Sequence, residues 1–193
     1  GVDEVGRWVA GFLRGLGGSI EVVPDATYGD TVVATFDSGR PGPTVLLIGH
    51  MDTVFDPGTV AERPFRIDGT IAYGPGVTDM KGGLLTGLYA LKALRSIAGE
   101  GAGCVPVGRI VFVANPDEEI GSPVSTPVIR WLAQDADAAL VLECARANGD
   151  FVSSRKGILD VELRITGRAA HAGVEPEKGR SALLEAAHKV IAL

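Results

Sequence analysis

The sequence predicts an α/β sandwich with a mostly parallel central sheet, and three short apolar runs carry most of this prediction. The runs span residues 45–48, 110–114 and 138–142, and each is a continuous apolar stretch typical of a strand buried on both faces. Segments with helical spacing of apolar residues separate these runs, so strands and helices alternate along the chain. Such alternation is typical of a sheet with helices packed against it.

The remaining elements of this first part follow from their own local patterns. Apolar spacing predicts a helix over residues 5–16, and two β-branched segments, 20–23 and 31–36, are predicted strands. Leucines at helical spacing between positions 84 and 94 predict a second helix. Ser125-Thr-Pro127 carries the hydroxyl cap and the first-turn proline that mark the start of a third.

The pattern changes near residue 152, where we predict a domain boundary. Apolar and polar residues alternate over 157–166, which predicts a half-exposed strand of an antiparallel sheet. A last helix, carrying Leu183 and Ile191, follows the loop around His171. One strand and one helix are too few to bury a core, so residues 153–193 are predicted to be an incomplete domain.

Composition and charge exclude several classes of protein. The chain has 193 residues, of which 46% are hydrophobic and 22% charged, as in globular proteins with a real core. Its net charge of −6 argues against a nucleic-acid partner. No apolar run approaches the roughly 18 residues of a membrane helix, so no membrane partner is expected. The compartment stays open, with the cytoplasm favoured, and because the chain starts at Gly1 without Met we expect a piece of a longer protein.

The two cysteines give no sign of redox or metal chemistry. Cys104 and Cys144 are too few for a disulfide scaffold, and their spacing fits no metal-binding motif. Cys144 directly follows an acid, but no histidine lies at a sequence spacing from it that would indicate a catalytic cysteine–histidine pair. We therefore interpret Cys144 as a small buried thiol rather than a nucleophile.

Acidic residues and a histidine follow the three predicted buried strands. In open α/β sheets, ligands bind beyond the carboxyl ends of the strands. A single acid there is usually a solvated loop residue, but several acids that converge repel one another unless cations compensate their charge. The candidates are His50 and Asp52 after the first strand, Asp79 in a glycine-rich turn, Glu118 and Glu119 after the second strand, and Glu143 after the third.

These residue types favour a divalent metal centre. One imidazole with several carboxylates and no thiolate suits zinc, and the number of acids suits two ions about 3.5–4 Å apart. Asp52 stands two residues after His50, where extended backbone projects both side chains to one side, so it can orient the imidazole. Glu118 and Glu119 point in different directions, so one can bind metal while the other acts as a general base.

Five motifs, in this order, make the chain resemble the dinuclear zinc exopeptidase and deacylase family. That family includes glutamate carboxypeptidase, aminoacylase, acetylornithine deacetylase and succinyl-diaminopimelate desuccinylase, and the resemblance is strongest to glutamate carboxypeptidase. The motifs are GHMDTV at 49–54, YGPGVTDMKGG at 73–83, DEEIGS at 117–122, RKG at 155–157 and GRAAHAG at 167–173.

The resemblance implies a metal-ligand set and a cofactor. His50 and Glu143 would each bind a separate zinc ion, Asp79 would bridge the two ions, and Glu119 would complete the other coordination sphere. The implied cofactor is two Zn²⁺ ions, with Co²⁺ or Mn²⁺ as possible substitutes.

The resemblance also implies catalytic roles. Asp52 would orient His50, and Glu118 would be the general base. His171 would stabilise the oxyanion of the tetrahedral intermediate, in this family commonly reaching across from the lid of a partner subunit. A homodimer formed through the lid domain is therefore expected for the intact protein.

The domains take their identity from the same resemblance. Residues 1–152 would be the N-terminal part of a three-layer zinc-exopeptidase-like catalytic domain, and residues 153–193 the start of an α+β lid and dimerisation domain. Family members have a further zinc-binding histidine that neither His171 nor His188 matches. We therefore expect this chain to lack one ligand of five and to bind zinc poorly.

The sequence thus predicts a metal-dependent hydrolase of a peptide or N-acyl bond beside a free carboxylate, acting on a small peptide or N-acyl amino acid. Three alternatives stay open. In the first, the protein is an N-acyl amino acid deacylase of the same family. In the second, the chain is an inactive piece that serves as an interaction module. The third alternative, a dinuclear phosphoesterase, would be expected to have more histidine ligands.

Overall fold

The structure is a computed structural model that describes residues 1–98 and 105–193. It forms two compact units, Gly1–Asp150 and Phe151–Leu193. Cys104 lies outside the described residues. None of the described helices is long and apolar enough to cross a membrane.

The first unit is built on a five-stranded sheet in the order β1-β2-β6-β3-β7. Strand β3 pairs in parallel with both β6 and β7, while β2 is antiparallel to β1 and β6. Four strands therefore run in one direction and only β2 runs against them, which confirms the mostly parallel sheet. The strands are β1 Ser19–Val23, β2 Thr31–Asp37, β3 Thr44–His50, β6 Arg109–Asn115 and β7 Ala138–Val141, and a separate hairpin consists of β4 Arg66–Asp68 and β5 Ile71–Tyr73.

Helices cover both faces of this sheet and make three layers. Residues of α1 and α3 share one buried cluster with Phe112 of β6, whereas Val111 and Val113 of β6 pack against α4 on the opposite face. Successive residues of a strand point to opposite faces, so the stretch 110–114 of β6, which is buried on both faces, is apolar throughout. The helices are α1 Val2–Gly15, α2 Thr59–Glu62, α3 Gly82–Ala98, α4 Thr126–Ala133 and, in the second unit, α5 Ala182–Ala192.

Two details of the first unit differ from the sequence prediction. The run 138–142 does form strand β7, but it is not buried, since Leu140 is 54% and Val141 61% exposed. The physical reason is its position at the edge of the sheet, where it pairs only with β3 among the described strands. The short helix α2 and the β4–β5 hairpin were not predicted, because such short, exposed elements have no core-facing periodicity.

In the second unit the predicted strand over 157–166 is wrong, because these residues form neither helix nor strand. A strand needs a partner for its backbone N–H and C=O groups, and the unit offers only an isolated bridge between Arg168 and Arg180. The predicted last helix is confirmed as α5. No residue of Phe151–Leu193 is buried.

Candidate metal centre

His50 is the last residue of β3, where close packing beneath the backbone fixes its position. Its backbone N–H donates to the Sδ atom of Met80 at 3.1 Å. A Cβ atom at Gly49 would lie 2.8 Å from Leu84 and 2.9 Å from Met80, so a glycine is needed to let these side chains approach. The His50 side chain is only 1% exposed. The imidazole therefore stands on a rigid, buried strand end.

Three carboxylates approach Nε2 of this imidazole. The nearest oxygens belong to Asp79 at 3.0 Å, Glu143 at 3.4 Å and Glu118 at 3.9 Å. Asp79 lies in a single π-helical turn, Val77–Lys81, which we call the Asp79 turn. Glu118 opens the short helical turn Glu118–Ile120 after β6. The carboxyl ends of the parallel strands thus bring residues together that are far apart in the sequence.

Glu143 follows β7, and its position depends on a glycine contact. A Cβ atom at Gly83, near the start of α3, would collide with the backbone carbonyl of Leu142. Glycine at this position lets α3 lie directly against the residue that precedes Glu143. The helix that follows the Asp79 turn and the strand that precedes Glu143 are held close by this contact.

The donor atoms form two overlapping groups. Ligand atoms of His50, Asp79 and Glu119 lie within 4.8 Å of one another, and so do those of His50, Glu118 and Glu143. One imidazole nitrogen with several carboxylate oxygens fits the preferences of zinc and similar divalent ions. The structure brings all these predicted residues together, and the distribution of ligands between two ions remains a prediction.

Burial and the charges of the cluster shift the pKa values of its members. Burial alone would lower the pKa of His50, but Asp52, Asp79 and Glu143 outweigh it and raise the pKa from 6.5 to about 9. The pKa of Glu118 is raised by burial and by the acids Glu143, Asp52 and Asp79, and that of Glu119 by burial and by Asp79. Acids that disfavour one another's charge are what a cation between them would stabilise.

Asp52 contacts both the His50 imidazole and the turn that carries Glu118 and Glu119. Its Oδ1 atom lies 3.2 Å from Nδ1 of His50, although Nδ1 has no well-aligned hydrogen-bond partner among the described residues. Its two carboxylate oxygens accept the backbone N–H groups of Glu118 at 3.2 Å and Glu119 at 2.9 Å. Burial would raise the pKa of Asp52, but His50 and these two amides lower it. Asp52 therefore holds the Glu118–Glu119 turn as well as lying beside the imidazole.

Two residues of the site were missed by the sequence analysis. Lys81 is partly buried, and its Nζ donates to the backbone carbonyl of Met51 at 3.2 Å. Burial lowers the pKa of Lys81, against the opposing effect of Asp52 and Glu119. Asp117 is fully buried, and its Oδ2 atom accepts N–H groups from Val124 at 2.7 Å and Ser125 at 3.1 Å, just before α4. Both residues lie inside the motifs quoted above, and this is the feature of the sequence that could have indicated them.

Three further residues singled out from the sequence, His171, His188 and Cys144, are all exposed. His171 belongs to the second unit, is exposed, and accepts the N–H of Gly173 on Nδ1 at 3.2 Å, so its oxyanion role stays a prediction. His188 is an exposed residue of α5. Cys144 is exposed, so the interpretation as a buried thiol is wrong. The reason is that it follows the exposed edge strand β7.

The sequence model of peptidase family M20/M25/M40 matches residues 46–192. The chain belongs to this family. It is 38% identical to carboxypeptidase G2 from Pseudomonas sp. (strain RS-16) over 99% of this chain and 45% of that protein. It is 33% identical to acetylornithine deacetylase from Proteus mirabilis (strain HI4320), over 91% of this chain and 43% of that protein.

A solved structure shares this fold. Aminopeptidase PepT from Bacillus cereus is similar with a TM-score of 0.64 and 23% identity, over 96% of this chain and 50% of that one. This M20 chain therefore spans about half the length of the relatives it matches.

Proposed function

We propose that the protein to which this chain belongs is a metal-dependent hydrolase that cleaves a peptide or N-acyl amide bond beside a free carboxylate, as a glutamate carboxypeptidase does. The observation that carries this proposal is the convergence of His50 with Asp79, Glu118, Glu119 and Glu143 at the carboxyl ends of the strands. The 38% identity to carboxypeptidase G2 supports the choice of reaction.

His50, Asp79, Glu119 and Glu143 are the residues that would hold the metal ions. When bound, two divalent ions, zinc by preference, act as Lewis acids that polarise a carbonyl and lower the pKa of water. His50 supplies the only nitrogen of this set, and its buried position keeps its orientation fixed. The carboxylates supply the negative charge that balances the ions.

Glu118 would move the proton. Its side chain is half exposed, so both water and a substrate can reach it. Without metal, burial and the neighbouring acids raise its pKa. A carboxylate that both water and substrate can reach is suited to act as a general base. In the proposed reaction Glu118 takes a proton from the attacking water and returns it to the nitrogen of the leaving amine. Asp52 holds the backbone of Glu118 in place during both transfers.

The test is Glu118→Gln in protein produced from the complete reading frame. Loss of the base is expected to lower kcat on N-benzoyl-glutamate by about 10²–10⁴-fold while the zinc content stays at the wild-type level. The matched control is Glu21→Gln, which changes an exposed acid of β1 and should leave both unchanged. Activity of Glu118→Gln above a tenth of wild type would contradict the assignment of the base.

N-acyl amino acid deacylation is the second candidate, because the chain is 33% identical to an acetylornithine deacetylase. The two candidates differ in the part of the substrate that they recognise. A kcat/KM for N-acetylornithine well above that for N-benzoyl-glutamate would replace the first proposal with the second, and the reverse preference would retain the first.

The assembly proposal concerns the second unit. We propose that residues 153–193 begin a lid domain and that the whole protein is a homodimer formed through it. The exposed apolar side chains of α5, such as Leu183 and Ile191, support an interface on this unit. Sedimentation of the complete protein as a monomer at micromolar concentration would contradict this proposal.

A further inference from the structure

We propose that Lys81 is a positioning residue of the metal centre, which ties the Asp79 turn to the segment that carries His50 and Asp52. The proposal rests on the proposed function in so far as the cluster binds metal. It goes further by assigning a role to a cation that is itself no metal ligand.

The Asp79 turn needs an anchor because its own backbone is irregular. It begins after Gly76, which has a φ of 69°, and it closes with a hydrogen bond from the N–H of Lys81 to the carbonyl of Gly76 at 2.9 Å. Asp79 and Met80 have non-helical φ and ψ angles inside the turn. The position of the Asp79 carboxylate is therefore not fixed by a regular helix.

Two side chains dock this turn on β3 and the residues that follow it. Met80 is fully buried below the strand end, where its Sδ atom accepts the N–H of His50. Lys81 donates from Nζ to the carbonyl of Met51, the residue between His50 and Asp52. Met80 and Lys81 both follow Asp79 directly. The ammonium and the thioether thus hold neighbouring backbone groups of the same short segment.

The ammonium lies in a site shaped to hold it. A Cβ atom at Gly76 would lie 3.0 Å from Nζ of Lys81 and 2.6 Å from Cγ2 of Thr53, so no larger residue fits beside the ammonium at this φ. A partly buried ammonium needs a hydrogen-bond acceptor, and the Met51 carbonyl, 3.2 Å from Nζ, supplies one.

The consequence concerns the geometry of the metal centre. Asp79 and His50 stand 3.0 Å apart, and they are separated by 29 residues of sequence. Lys81, two residues after Asp79, joins the same two segments through its hydrogen bond to the carbonyl of Met51, the residue after His50. Without its ammonium, the Asp79 turn keeps Met80 as its one side-chain anchor of this kind among the described residues. The Asp79 carboxylate is then less well placed to share an ion with His50. Outer partners that orient metal ligands typically contribute 10–100-fold to metal affinity.

The experiment replaces Lys81 in protein from the complete reading frame and measures metal binding without substrate. Lys81→Met keeps the aliphatic stem and removes the charge, and Lys92→Met is the matched control on the exposed face of α3. Affinity for Zn²⁺ is measured by chelator competition, and the Co²⁺-loaded proteins are compared by their visible absorption spectra. We expect Lys81→Met to weaken the binding of at least one ion 10–100-fold and to change the Co²⁺ spectrum, whereas Lys92→Met should match wild type.

A second variant separates the hydrogen bond from the charge and covers a folding failure of the first. Lys81→Gln keeps a donor for the Met51 carbonyl, so it should bind zinc more tightly than Lys81→Met and less tightly than wild type. If Lys81→Met does not fold, Lys81→Gln must still weaken metal binding for the proposal to stand. Wild-type affinity and an unchanged Co²⁺ spectrum in the folded Lys81 variants would overturn it.

Failure of the proposed function gives a different result. Wild-type protein that binds two ions but cleaves neither N-benzoyl-glutamate nor N-acetylornithine would contradict the proposed reaction and leave the role of Lys81 intact. Wild-type protein that binds no divalent ion would overturn both.

Discussion

α1 and α5 are both amphipathic helices, but only α1 has buried side chains. In α1, Val9 is 1% and Leu13 0% exposed, whereas in α5 Leu183 is 82% and Ile191 84% exposed. The first helix packs on a sheet, and the second belongs to a unit of 43 residues that contains no other α-helix and no strand pair. An apolar stripe therefore stabilises a helix only where another element covers it.

The largest expected difference between the two units follows from this contrast. Leu13→Ala should lower the free energy of unfolding of the first unit by about 2–5 kcal/mol, because it removes fully buried methyl groups and leaves a cavity. Leu183→Ala, the same substitution at an exposed position, should change this free energy of unfolding by less than about 0.5 kcal/mol. Urea unfolding followed by tryptophan fluorescence measures this, since both tryptophans, Trp8 and Trp131, lie in the first unit. A large cost for Leu183→Ala would mean that this side chain is covered in solution.

A pH effect of intermediate size should appear in the first unit when no metal is bound. The pKa of His50 is raised to about 9 in the folded chain against 6.5 when unfolded. The protonated imidazole therefore stabilises the fold fully below pH 6.5, and this stabilisation, about 3 kcal/mol, is lost as the pH rises through 9. Urea unfolding of the chelator-treated chain across this range tests the effect. A profile that is as steep in His50→Gln as in the wild type would assign it to another group.

The smallest expected effect concerns the local stability of α5. Ser181 caps this helix by accepting the N–H of Leu184 at 3.1 Å, whereas α1 has no side-chain cap. An exposed helix of 11 residues is marginal, so Ser181→Ala should destabilise it by about 1 kcal/mol. Hydrogen exchange at the Leu184 amide should quicken about fivefold, and Ser181→Asp, which keeps an acceptor, should restore protection. Unchanged exchange in Ser181→Ala would show that the cap contributes nothing.

The fold follows the sequence pattern most closely where local pattern and tertiary packing agree. The runs at 45–48 and 110–114 predicted β3 and β6, because strands covered on both faces must be apolar throughout. The same rule gave the location of β7 but not its exposure, since an edge position is not encoded in an apolar run. The alternation over 157–166 predicted a strand that the structure does not form, because strand pairing depends on a partner elsewhere in the chain.

Most of the candidate site was visible in the sequence as acids and a histidine after predicted strands. Lys81 and Asp117 were not, because their roles consist of contacts to backbone groups. Lys81 contacts the Met51 carbonyl, and Asp117 contacts the Val124 and Ser125 amides. Such contacts depend on the detailed path of the loops. Neither residue type nor spacing indicates that path.

The sequence by itself determined the main helices and strands of the first unit, the charge, and the set of side chains that can bind a divalent ion. Only the tertiary structure decided which of these side chains meet. Parallel pairing of β3 with β6 and β7 brings His50, Glu118 and Glu143 together, and Met80 docks the Asp79 turn on the end of β3. It also decided that the same apolar pattern is buried in α1 and exposed in α5. The physical reason is that hydrophobic stabilisation requires apolar surface to be removed from water. An apolar helix face that no other element covers stays in contact with water.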